Sequence, residues 1–141
     1  MTERTAADLA DAYITALQAH DKQGILSILA DDFELIVPCD VSGANDLTQR
    51  WSGLQSADVN YEATFRKIVK LKYVDIEITP GRDDTVAFLE GLGEMMLDNG
   101  NPYCNRYIFR FDTENGKIRR IREYLNPITA AIAMEIPLPR N

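Results

Sequence analysis

Two Asn-Gly pairs constrain this chain more than any other feature. Asn99-Gly100 and Asn115-Gly116 each separate two runs rich in β-branched and aromatic residues, and Asn-Gly supplies the positive φ angles of a tight hairpin. Thr85 to Leu97, Tyr103 to Phe111 and Lys117 to Leu125 therefore read as consecutive antiparallel strands. Tyr73 to Thr79 is a strand before them, ended by the turn signal Pro80-Gly81. Asn126-Pro127 stops the sheet, and the tail from Ile128 reads as a short helix or coil.

The opposite end of the chain is helical. From Thr5 onward, Leu9, Ala12, Tyr13, Ala16, Leu17 and His20 fall along one stripe at helical spacing. Thr5 and Asp8 predict a capping box in which Asp replaces the usual Glu. A second helix is expected from Lys22 to Ala30, with Asp21 as its N-cap and Ile25, Leu26 and Leu29 facing inward. His20 then stands at the corner between two helices and reads as structural. Phe33 to Val37 is a short strand ended by Pro38, and Leu47 to Leu54 and Asp58 to Lys70 read as helical.

Helices followed by an antiparallel meander define an α+β domain. We expect one domain over residues 1–141, its N-terminal helices packed on a strongly curved sheet that forms a cone-shaped barrel. Such a cone encloses a cavity, and its function depends on which polar side chains point inward. Hydrophobic residues make up 45% of the 141 and charged residues 26%, as in an ordinary globular protein. No apolar run reaches the length of a membrane span, and the start MTERTAADLADAY lacks the basic and apolar stretches of an export signal, so a cytoplasmic location is expected.

The net charge of −7 argues against nucleic acid and anionic membranes as partners. Its distribution is uneven. Residues 1–60 carry three basic and ten acidic side chains, whereas residues 61–141 carry twelve of each. Lys117, Arg119, Arg120 and Arg122 crowd together in the neutral half; they read as a solvated strand edge that discourages aggregation. Cys39 and Cys104 are far apart and belong to no paired motif, so they read as free thiols. His20 is the only histidine. A Ser-His-Asp or Cys-His nucleophile would have to be built on it, and a zinc site would lack its usual ligands. No metal or cofactor is expected, and acid–base chemistry falls to carboxylates, tyrosines or arginines.

Strand parity narrows the candidates. Tyr103, Asn105, Tyr107, Phe109 and Phe111 share one face of their strand, while Cys104, Arg106, Ile108 and Arg110 share the other. The aromatic face should look into the cone. In the next strand Ile121, Glu123 and Leu125 alternate with Arg120, Arg122 and Tyr124. With Ile121 and Leu125 inward, Glu123 is a carboxylate among apolar neighbours, where burial raises its pKa and suits it to general acid or base work. The alternative is a pairing of Glu123 with Arg119 or Arg106. Glu90 and Glu94 share a face with Leu92, either as a second carboxylate near the cavity or as solvated charges.

The segment YCNRYIFRFDTENGKIRRIREYLNP (Tyr103 to Pro127) resembles the terminal hairpin of SnoaL-like proteins in the nuclear-transport-factor-2-like superfamily, especially the phenazine-biosynthesis PhzA/PhzB type. The opening AYITALQAHDKQGILSILADDFEL is similar to the first helices of that superfamily, ketosteroid isomerases included. Residues 40–85 match poorly. The resemblance implies a dimer through the outer sheet face and places Glu123 where PhzA/PhzB-like members hold an acid–base glutamate. Tyr13 matches a first-helix tyrosine that ketosteroid isomerases use as an oxyanion donor, although a core tyrosine would look the same. Several family residues are missing. The ketosteroid isomerase base position reads Val37, with Asp40 nearby, and the second oxyanion acid falls near Tyr107. The third-helix histidine of PhzA/PhzB-like enzymes is replaced around Arg50 and Trp51. The Arg-x-Asp pair of limonene-epoxide hydrolases has no counterpart in Glu90 to Glu94.

These readings converge on a cofactor-independent isomerase or cyclase for a small polycyclic or aromatic secondary metabolite. Glu123 would move the proton, and Tyr107, Asn105 and Tyr13 would hold the developing oxyanion. Trp51, Phe109, Met95 and Met96 would form apolar walls, with Glu90, Glu94 and Asp40 as further candidate contacts. Epoxide opening and a non-catalytic small-molecule-binding module are the alternatives.

Overall fold

The computed structural model describes residues 3–45 and 49–139. Helix α1 (Ala6–Gln18) starts where the capping box predicts. The Thr5 hydroxyl accepts the Asp8 N–H at 3.1 Å, and the Asp8 carboxylate accepts the Thr5 N–H at 3.1 Å. Thr5→Ala leaves the Asp8 N–H to solvent and should lower stability by about 1 kcal/mol, measurable by urea unfolding. The helix closes on a Schellman arrangement. His20 takes φ 54°, its N–H donates to the Leu17 carbonyl, and that of Asp21 donates to the Ala16 carbonyl. The His20 ring stacks on Phe65 at 4.7 Å between centroids, which is the structural role its corner position predicts.

Helix α2 (Lys22–Leu26), capped by Asp21, is shorter than its pattern suggests. Tertiary pairing overrides propensity here: β1 (Leu29–Val37) begins at once, and the Ile118 N–H donates to the Ile28 carbonyl at 2.8 Å. The stretch expected as a helix from Leu47 lies partly outside the described residues. Its remainder is strand β2 (Gln49–Ser52), antiparallel to β1 with Trp51 opposite Leu35. Gly53, at φ 86°, turns the chain out of that strand and donates its N–H to the Phe33 carbonyl. Helix α3 (Leu54–Lys67) follows, and Ile68–Lys70 leaves it as β3 because Ile68 pairs with Leu97.

The meander is then β4 (Tyr73–Pro80), β5 (Val86–Leu97), β6 (Pro102–Glu114) and β7 (Lys117–Leu125), followed by α4 (Pro127–Met134) capped by Asn126. The sheet order is β2-β1-β7-β6-β5-β3, with β4 also on β5. One pair departs from the antiparallel expectation. β1 runs parallel to β7, Leu35 facing Ile121, because the chain crosses the whole sheet between them. The α+β class stands, with a mixed sheet. Register shifts interrupt the β1–β7, β3–β5, β4–β5 and β6–β7 pairings, and such bulges add the bend and twist that curl a sheet. α1 crosses the concave side against β4 to β7, with Leu9, Tyr13, Ile14 and Leu17 buried. Tyr13 meets Phe109 and Phe111 edge-on at 6.1 and 5.5 Å between centroids.

Candidate active site

The two halves of β6 parity separate as the alternation predicts. Tyr103, Asn105, Tyr107, Phe109 and Phe111 are buried on the concave side, while Cys104, Arg106 and Ile108 are exposed. Between this floor and the helices lies a cavity of about 310 Å³, lined mainly by apolar side chains. α1 contributes Tyr13, α3 Tyr61, β4 Tyr73, β5 Met95, β6 Tyr103 and Tyr107, and β7 Glu123. Val37, Asp40 and Trp51 line it from β1, the loop beyond and β2, and α4 closes one side with Ala130, Ala131 and Met134. A second, more open and more polar depression is lined by Leu26, Asp31, Asp32, Glu114 and Lys117 among others.

Glu123 lies opposite Phe109 in the β6–β7 register, flanked inward by Ile121 and Leu125. The residue is partly buried and keeps some accessible surface, and it is one of the residues that line the cavity. No hydrogen bond or ion pair reaches it from the described residues. Arg119 instead contacts Glu114, and Arg106 stands on the opposite face. Burial without compensation pushes the Glu123 carboxyl up to about 7.

Five tyrosine hydroxyls share its surroundings. Burial raises all five pKa values, and the negative charge of Glu123 raises them further. Their hydrogen bonds differ. Tyr13 and Tyr61 bond each other at 2.7 Å, which leaves one proton of that pair free. Tyr107 donates to Tyr103 at 2.9 Å, and Asn105 Nδ2 donates to the same oxygen at 2.9 Å. Tyr103 therefore accepts twice and keeps its own proton to donate. Tyr73 forms no hydroxyl hydrogen bond among the described residues. The site thus combines an unpaired carboxyl with poised donors on Tyr73 and Tyr103.

The other sequence candidates divide. Tyr13, Tyr107, Trp51 and Asp40 line the cavity. Asp40 lies at its outer end, where its carboxylate accepts the Ser42 N–H at 2.8 Å, together with the Ser42 hydroxyl. Asn105 is buried but does not line the cavity. Its oxygen accepts the Arg106 and Asn126 N–H groups, and its amide donates to Tyr103 and to the Asn126 carbonyl. All its bonding capacity is engaged in tying β6 to the start of α4, so oxyanion donation would require breaking the bracket. Phe109 is fully buried behind the floor, stacked on Tyr107. Glu90 and Glu94 are exposed on the outer face, because Gly91, Gly93 and Met95 take the inward positions of β5. Met96 likewise points outward, leaving Met95 as the wall. Tyr61 and Tyr73 escaped the sequence reading. Tyr61 sits on a helix with a weak stripe, and Tyr73 opens a strand whose alternation groups it with Asp75 and Glu77, a parity that the register shift between Val74 and Glu77 interrupts. Tyr103 was legible through its parity with Tyr107, although not its role.

The sequence pattern of the SnoaL-like domain matches residues 10–121. A stretch of 54 residues is 49% identical to phenazine biosynthesis protein PhzA1 of Pseudomonas aeruginosa, spanning 36% of this chain and 33% of that protein. The match thus spans about a third of that curated relative's length. A candidate isomerase from Bacillus subtilis superposes with a TM-score of 0.81 at 18% identity, covering 96% of each chain. A candidate polyketide cyclase from Pseudomonas putida KT2440 gives 0.76 at 22% identity, covering 92% of this chain and 97% of that one. At such identities these two structures establish a shared fold.

Proposed function

We propose that this chain, which belongs to the SnoaL-like domain family, is an isomerase or cyclase that moves a proton on a small ring compound without a cofactor. One observation carries the reading: the unpartnered Glu123 carboxyl in a cavity of tyrosine hydroxyls. A carboxyl near pH 7 can take a proton from carbon and return it to another position, because neither protonation state is strongly preferred at neutral pH. Removing a proton beside a carbonyl places charge on the oxygen. The free protons of Tyr73 and Tyr103 would meet it, and Tyr13 with Tyr61 could supply one more. The polyketide-cyclase-like neighbour and the phenazine relative support this class of chemistry without naming the substrate. Epoxide opening is less favoured: of the three carboxylates that could serve as its second acid, Glu90 and Glu94 stand outside the cavity, and Asp40, which lines it, is engaged by the Ser42 N–H and hydroxyl.

The test is deuterium exchange beside the carbonyl of a bicyclic ketone such as 2-tetralone, followed by NMR in the presence of the protein. Exchange should rise with pH, since ionised Glu123 is the base, and reach half its maximum near the carboxyl value of about 7. Tyr73→Phe should cut it by roughly 10²-fold. Exchange no faster than in buffer would overturn proton transfer and leave binding as the function. We also place a second copy of the chain on the outer sheet face, where Ile108 and Tyr124 pair across β6 and β7 and are 42% and 38% exposed.

A further inference from the structure

We propose that the ring this cavity accepts carries a basic nitrogen, an amine or imine protonated at neutral pH, and that carboxylated rings are rejected. This rests on the reading of Glu123 as the working group of the cavity. It comes from the charge inventory of the walls. Among the described lining residues are two carboxylates, Glu123 and Asp40, and no lysine, arginine or histidine. The titratable groups that surround Glu123 are Tyr13 of α1, Tyr61 of α3, Tyr73 of β4, and Tyr103 and Tyr107 of β6, while α4 presents apolar side chains. His20, the chain's only histidine, lies outside the cavity against Phe65.

An anionic ring entering this space would lose its hydration, find no counter-charge and be repelled by ionised Glu123. Desolvated like charges in a low dielectric are strongly unfavourable. A cation gains on each count. It pairs with Glu123, whose carboxyl has no partner among the described residues, donates to tyrosine oxygens, and benefits from nearby aromatic faces. The approach is biased the same way. Residues 1–60, which hold the whole net charge of −7, provide α1, β1, β2 and the Asp40 loop, and Val37, Asp40 and Trp51 of that half line the cavity. A negative surround concentrates cations and repels anions.

Pairing with the nitrogen requires ionised Glu123, whose carboxyl holds its proton up to about pH 7 in the empty cavity. Cation binding is therefore coupled to proton release. Affinity should rise with pH below 7 and level off above it.

Three probes of nearly equal shape test this: 1-aminotetralin, 1-tetralone and tetralin-1-carboxylate. Each is titrated into the full chain at pH 6 and pH 8, followed by calorimetry and by fluorescence of Trp51, the single tryptophan. The amine should bind about tenfold more tightly at pH 8 than at pH 6, with a heat that varies with the buffer's ionisation enthalpy. Its pH dependence should vanish in Glu123→Gln. The ketone should show no gain with pH, and the carboxylate no binding at millimolar concentration. Amine affinity that is absent, independent of pH, or unchanged in Glu123→Gln would overturn the proposal, as would a carboxylate that binds as well as the amine. Should Glu123-dependent exchange of 2-tetralone persist in that case, only the substrate class falls. If amine binding holds while exchange is absent, proton transfer falls and the nitrogen preference stands.

Discussion

Glu123→Gln should stabilise the fold by about 3 kcal/mol at pH 8 and above, while slowing ketone exchange by roughly 10²- to 10⁴-fold. The two effects share one cause. In the unfolded chain the carboxyl ionises near its ordinary 4.5, whereas in the cavity it does so near 7. Between those values the native state holds a proton that the unfolded state has released, so stability falls as pH rises. Below 4.5 both states are protonated and the difference disappears. Above 7 the wild type carries a desolvated, unpaired charge, and the penalty is complete. Gln mimics the protonated acid in shape and cannot ionise, so it avoids the penalty and also loses the base. Thermal unfolding at pH 4 and pH 8 checks this. Nearly equal midpoints at pH 4 should open to a gap on the order of 10 °C in favour of the variant at pH 8. A wild type at least as stable as the variant at pH 8 would mean that the carboxylate is solvated or paired.

Asn105→Ala should have the opposite sign, lowering stability by roughly 4 kcal/mol. Asn105 forms four hydrogen bonds, and three of their partners are backbone groups of Arg106 and Asn126. Truncation leaves those groups short of partners, and a buried polar group without its hydrogen bond costs about 1–3 kcal/mol. Tyr103 loses one of its two donors as well, so the geometry of its free proton loosens. Urea unfolding gives the magnitude. Amide exchange should accelerate over Pro127–Met134, because Asn126 both caps α4 and is held by Asn105. A strong loss of ketone exchange with stability intact would instead return Asn105 to oxyanion donation.

Much of this was legible without coordinates. Asn115-Gly116 fixes the β6–β7 hairpin, both residues adopting positive φ, and a two-residue side-chain period then decides which face of each strand is apolar. That reasoning placed Tyr107 and Glu123 inside before any contact was known. It had less purchase on β5, where the inward positions are Gly91 and Gly93. Glycines carry no hydropathy signal, so the face bearing Glu90 and Glu94 looked equally eligible. Strand β2 was read as a helix because four residues are too few for a period to emerge, and its structure depends on pairing with β1.

The sequence by itself determined the elements of the C-terminal sheet, their faces, and the candidacy of Glu123, since alternation and turn chemistry are local properties of the backbone. Only the tertiary structure decided which polar groups are satisfied. Asn105 became a fully bonded bracket and Tyr73 an unbonded hydroxyl because their neighbours come from α4, α1 and other strands. Whether a buried polar group is architecture or chemistry depends on what reaches it across the fold, and no spacing along the chain records that.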